Sequence, residues 1–152
     1  MLKQSSLENN KYHPSLIINM NNELRKIYLG VDWGEKRIGL ALADSETKLA
    51  TPFKTARNAD DVAQVVSDEK IDLIIIGKPL SITNYELQIT NEGYNNFINE
   101  LKRKVNIPIE LADERLTSKA ADALPGNKKT KSSRDEIAAM IILQSWIDKI
   151  DN

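Results

Sequence analysis

Ile27-Tyr28-Leu29-Gly30-Val31-Asp32-Trp33-Gly34-Glu35-Lys36-Arg37-Ile38-Gly39-Leu40-Ala41-Leu42-Ala43-Asp44 is the stretch whose reading decides the fold. Two apolar runs flank a short polar turn, and a strand apolar on both faces is a buried one. The stretch reads as a β-hairpin. Asp32 closes the first run, so it is held at the rim of a sheet. Gly34 is expected to supply the positive φ of the reversal, and Arg37 opens the return strand with a cation close to that carboxylate. An Asp-x-Gly hairpin is also an ordinary turn, so function has to be argued from more of the chain.

Beyond the hairpin, Lys48 to Thr55 reads as a third strand, and Pro52 suits an edge position. Asn58, with Asp61 three residues on, marks a helix start, and Val62, Val65 and Val66 give that helix an apolar stripe to about Glu69. Ile71 to Ile76 is a β-branched run ahead of Gly77, the pattern of a buried parallel strand. Past Gly77-Lys78-Pro79-Leu80, Thr83 and Glu86 form a capping box. Leu87, Tyr94, Phe97, Ile98, Leu101 and Val105 then keep a helical rhythm. Pro108 to Glu114 is a further strand that runs into Asp113 and Glu114. Thr117 to Leu124 is expected to be a short helix. Pro125-Gly126-Asn127 breaks the pattern, and Lys128, Lys129, Lys131 and Arg134 form a basic cluster. Ser133 and Glu136 cap a final helix to about Lys149. A meander followed by alternating helices and strands predicts an α/β fold: a mixed five-stranded sheet, three strands antiparallel and two parallel, flanked by helices.

The 152 residues suffice for one domain, expected over 26–150. Residues 1–25 read as a loosely ordered tail with one apolar patch, Leu16-Ile17-Ile18, and Met20 is a candidate natural start. The tail has neither the long apolar stretch of a secretory signal nor the acid-poor character of a transit peptide, since Glu8 and Glu23 interrupt it. Absence of cysteine excludes disulfides, a zinc–thiolate centre and a thiol nucleophile. The longest apolar run, Ile137 to Leu143, falls far short of the ~20 residues of a membrane helix. A cytoplasmic, non-membrane protein is expected. A net charge of −1 means that any polyanion must be met by a local basic patch.

Three acids stand out. Asp32 ends one strand, Asp113 or Glu114 ends another, and Asp135 lies in the first turn of the last helix. By helical spacing Asp135 shares a face with Ala138, Ala139 and Ile142, so it turns toward the sheet. A first-turn Asp also serves the helix dipole whatever the chemistry. Three converging carboxylates repel one another unless cations neutralise them. Oxygen-only ligands suit Mg²⁺ or Mn²⁺, and open sites of this kind also take substrate phosphate, which points to phosphodiester chemistry. Arg37, Arg115 and the cluster from Lys128 to Arg134, with Lys129 and Lys131, are candidate phosphate contacts. Trp33 is either a base-stacking residue or a cap on the core.

Gly30-Val31-Asp32-Trp33-Gly34-Glu35-Lys36-Arg37-Ile38-Gly39, Gly77-Lys78-Pro79-Leu80, Asp113-Glu114-Arg115-Leu116-Thr117 and Asp135-Glu136-Ile137-Ala138-Ala139-Met140-Ile141-Ile142-Leu143-Gln144 resemble, in order, the motifs of the YqgF (RuvX) family. The likeness runs from Ile27 to about Asp148. That family is similar to RuvC-type Holliday junction resolvases, has the RNase H-like fold, and is described as a cytoplasmic nuclease of the 5′ end of pre-16S rRNA. The resemblance implies catalytic and metal-binding roles for Asp32, Glu114 and Asp135. The choice of Glu114 over Asp113 comes from the family, because alternation alone leaves both open. The chain departs from the family at Lys78, where an apolar residue is usual, and after Leu80, where a glycine is usual. Pre-rRNA is the expected partner, with branched DNA as the alternative, and the chain is expected to be a monomer or weak homodimer. A binding module that grips nucleic acid without cutting is the rival reading. An actin-like ATPase would need a second glycine-rich half, which the chain lacks.

Overall fold

The computed structural model describes residues 24–78, 92–113 and 134–151. Of the expected tail only Leu24 and Arg25 are described, and Arg25 is not loose, its guanidinium donating to Asp44 Oδ2 at 3.1 Å. Residues 1–23, the Thr83–Glu86 capping box, the helix over Thr117 to Leu124 and most of the basic cluster lie outside the described residues.

Strands β1 (Ile27–Asp32), β2 (Ile38–Asp44), β3 (Thr51–Ala56), β4 (Leu73–Lys78) and β5 (Ile109–Asp113) form one sheet in the order β3-β2-β1-β4-β5. β1–β2 and β2–β3 are antiparallel, whereas β1–β4 and β4–β5 are parallel. This is the expected mixed sheet, with Pro52 on an edge strand. Helices α1 (Ala59–Asp68) and α2 (Glu92–Lys104) cover one face, and α3 (Arg134–Ile150) covers the other.

Local chemistry explains the boundaries. Asn58 caps α1, its side-chain oxygen accepting the Asp61 N–H at 2.9 Å. β3 begins three residues later than expected because the chain is still turning. Asp44 Oδ1 accepts the N–H groups of Glu46 and Thr47, and Lys48 takes φ 57°. Gln144 of α3 then accepts the Ala50 N–H and donates to the Lys48 carbonyl, so those two polar groups are spoken for outside the sheet. β4 likewise begins at Leu73 instead of Ile71. Ile71 N–H still bonds Val66 O beyond α1, and Asp72 accepts the Ile27 N–H through its side chain.

The two faces of the sheet are packed differently. Leu29, Val31, Leu40, Ile74 and Ile76 meet Val62 and Val65 of α1 and Tyr94, Phe97, Ile98 and Leu101 of α2. Large branched side chains fill this layer. The opposite face presents Gly30, Gly39, Ala41, Ala43 and Ile75 to Ala139, Ile142, Leu143 and Ile147 of α3. Small residues there let the helix approach. A Cβ on Gly30 would stand 2.7 Å from Leu143 Cβ and 2.8 Å from the Ala139 carbonyl oxygen, closer than packed atoms tolerate.

Candidate active site

Asp32 is the last residue of β1 and pairs in register with Gly39 of β2. Directly opposed residues of an antiparallel pair project to the same side, so Asp32 belongs to the α3 face. On that face the first turn of α3 rests on Gly39. A Cβ there would fall 1.9 Å from the Asp135 carbonyl oxygen and 2.9 Å from the Glu136 nitrogen. Two residues over a hundred positions apart in sequence, Asp32 and Asp135, are thereby brought to one corner of the sheet.

The Asp135 side chain is half-buried, as the helical spacing predicts. Its Oδ2 lies 3.2 Å from Arg37 Nε. Arg37, expected beside the strand acid, therefore reaches the helix acid. Gly34 closes the turn for a reason other than the one expected. Its backbone is not in the left-handed region; what excludes a side chain is the Arg37 carbonyl oxygen, 2.7 Å from where a Cβ would stand. The constraint is contact, not φ.

Trp33 turns to the other layer. Its ring packs edge-on against Tyr94 with centroids 5.9 Å apart, and it packs with the large-residue core. Of the two sequence readings, the core cap is the one realised.

Asp113 ends β5 with its Cα in register with Lys78. Along β5, Ile109 packs with the α1–α2 layer, whereas Ala112 packs with the α3 layer, and Glu110 accepts the Trp146 Nε1–H of α3 at 2.8 Å. Even-numbered β5 positions thus share the face of Asp32. Lys78 is exposed at the end of β4, and Arg134 is exposed as the first residue of α3. Glu114, Arg115, Lys129 and Lys131 lie outside the described residues. Among the described residues no cluster of three metal-binding side chains occurs. Asp32 and Asp135 are oxygen donors only, the chemistry a hard divalent cation requires. Also among the described residues, no helix is long and apolar enough to cross a membrane.

The residues that sequence reasoning passed over are the spacers. Gly39 and Gly30 set where α3 sits, and the available signal was a glycine interrupting each of two otherwise good strands.

Comparison with known proteins agrees with this architecture. A family model described as RuvX, Holliday junction resolvase, matches residues 26–149. A protein of Maridesulfovibrio salexigens is 38% identical over 130 residues, covering 78% of this chain and 96% of the relative. One from Orientia tsutsugamushi is 36% identical, covering 86% and 88%. Both carry the provisional name pre-16S rRNA nuclease. Among solved structures, Thermus thermophilus RuvC in complex with Holliday junction substrate superposes with TM-score 0.57 at 12% identity, covering 84% of this chain and 96% of that one. The fowlpox virus Holliday junction resolvase superposes at TM-score 0.51 and 13% identity, covering 81% and 99%. The likeness to these two is one of fold, which is RNase H-like. With its motifs, its sheet order and a family match over most of its length, this chain belongs to the RuvX family.

Proposed function

We propose that the protein is a metal-dependent nuclease that hydrolyses phosphodiester bonds in structured nucleic acid, with the 5′ end of pre-16S rRNA as its substrate. The observation that carries this reading is the seating of α3 on Gly39, which sets Asp135 beside the strand end that bears Asp32. The names of the family relatives support the same chemistry.

Asp32, Glu114 and Asp135 are the residues that would hold Mg²⁺ or Mn²⁺. Glu114 is preferred to Asp113 because the family resemblance assigns the later-strand acid to that position. When bound, such an ion acidifies the attacking water and stabilises the departing 3′ oxygen. The carboxylates fix the ligand geometry. Asp32 does so from a strand paired on both sides, and Asp135 from a helix wedged against that strand's neighbour. Arg37, Arg115, Lys129, Lys131 and Arg134 are assigned to backbone phosphates, contacts that orient the substrate without reading its sequence. The setting is the cytoplasm.

The description of the matching family favours a second substrate, the four-way DNA junction. The deciding experiment incubates purified protein with Mg²⁺ or Mn²⁺ and a 5′-extended rRNA precursor, a single-stranded RNA or a four-way junction, with Asp32→Asn as control. Cutting of the precursor by the native protein alone supports the proposal, and cutting of the junction alone moves it to DNA. Tight binding without cutting makes the protein a binding module.

A further inference from the structure

The two ends of the Arg37–Asp135 ion pair are held unequally. Asp135 is 30% exposed in the first turn of a helix packed on Gly39, whereas the Arg37 side chain is 69% exposed on the hairpin turn. The Arg37 carbonyl oxygen packs against Gly34, 2.7 Å from where a Cβ there would stand, whereas the guanidinium lies out in solvent. The carboxylate that Arg37 holds is also one that the nuclease reading assigns to the metal ion. A guanidinium and a divalent cation compete for the same oxygens, and side by side they repel.

We propose that Arg37 is a positioning residue that occupies Asp135 before the ion is bound, then leaves it for a phosphate of the nucleic acid backbone. This rests on the nuclease reading above. Before loading, the guanidinium offsets the repulsion between the acids gathered at the sheet corner. After loading, the same side chain is a cation with no carboxylate to serve, sited at the mouth where a polyanion must enter. Arg37 therefore acts on the two ligands with opposite signs: it weakens metal binding in the absence of nucleic acid and strengthens nucleic acid binding in the presence of metal. A purely structural ion pair or a plain phosphate clamp does not produce that opposition.

The test uses the full chain as native protein and as Arg37→Gln, Arg37→Lys and Asp135→Asn. Calorimetric titration with Mn²⁺ alone is followed by binding of the 5′-extended rRNA in Ca²⁺ across a range of salt. Arg37→Gln is expected to bind Mn²⁺ about twofold to fivefold more tightly, the factor an exposed ion pair is worth. The same variant is expected to bind RNA more weakly, its slope of log affinity against log salt shallower by about 0.7 to 0.9, one phosphate contact. Arg37→Lys keeps the charge and stays near the native slope. Unchanged or weaker Mn²⁺ binding by Arg37→Gln, with Asp135→Asn still abolishing it, overturns this proposal and leaves the nuclease reading standing. Mn²⁺ binding that is absent from the native chain, or indifferent to Asp135→Asn, overturns both.

Discussion

Gly39 lies under the first turn of α3 so closely that an added Cβ would sit 1.9 Å from the carbonyl oxygen of Asp135. The obstacle is helix backbone, which cannot rotate away as a side chain could, so the helix start must shift. Gly39→Ala is expected to lower stability by about 1–3 kcal/mol, the usual cost of overpacking. A displacement on the ångström scale at the carboxylate proposed to hold the metal is expected to lower cleavage by about a hundredfold. Gly30→Ala meets Leu143 and Ala139, further along the helix, and should cost similar stability with a smaller loss of cleavage. Urea unfolding and rRNA cleavage assays on the two variants separate the effects.

Asp32→Asn tests the chemistry without disturbing the packing. It keeps the shape of the side chain, so the variant should still unfold in one cooperative urea transition. Cleavage should fall by a factor of about a hundred to a thousand, since the assigned metal contact is worth several kcal/mol in the transition state. Chelation of divalent ions should abolish the native activity, and Mg²⁺ should restore it. Cleavage that survives both treatments removes the acids from the mechanism.

Ile74 is fully buried in the large-residue layer between the sheet and α1–α2. Ile74→Ala deletes buried methyl groups and leaves a cavity that branched neighbours on a rigid strand fill poorly. The expected loss is about 2–5 kcal/mol, read as a lower urea midpoint at unchanged slope.

Asp44 gives the fold an acid-sensitive joint at the end of β2. Burial pushes its carboxyl up, but the Thr47 N–H, the Arg25 guanidinium and the Glu46 N–H together outweigh burial and hold it below its ordinary value. A folded-state pKa below the unfolded one means that the unfolded chain takes up the proton first. The contribution is therefore complete above the ordinary carboxylate range and fades as the pH falls through the folded value. Stability curves of native protein and Asp44→Asn are expected to run apart near neutrality and to converge at acid pH.

Much of this architecture was legible in the chain itself, because its signals are local. The continuous apolar runs of Ile27–Asp32, Ile38–Asp44 and Leu73–Lys78 are the mark of strands covered on both faces. Asn58 announced α1 because a side-chain acceptor beside orphan N–H groups is a short-range bond. The helical spacing of Asp135 with Ala139 and Ile142 already said that the acid faces inward. What tertiary structure decided was which of these faces meet. Only the packing of α3 shows that Asp135 comes to rest over Gly39, that Arg37 reaches the helix acid, and that β5 presents Glu110 and Ala112 on the side of Asp32. Period and capping are properties of neighbours along the chain, whereas the meeting of residues 32, 39 and 135 follows from how closely a helix can lie on a sheet, which small residues on both surfaces set together.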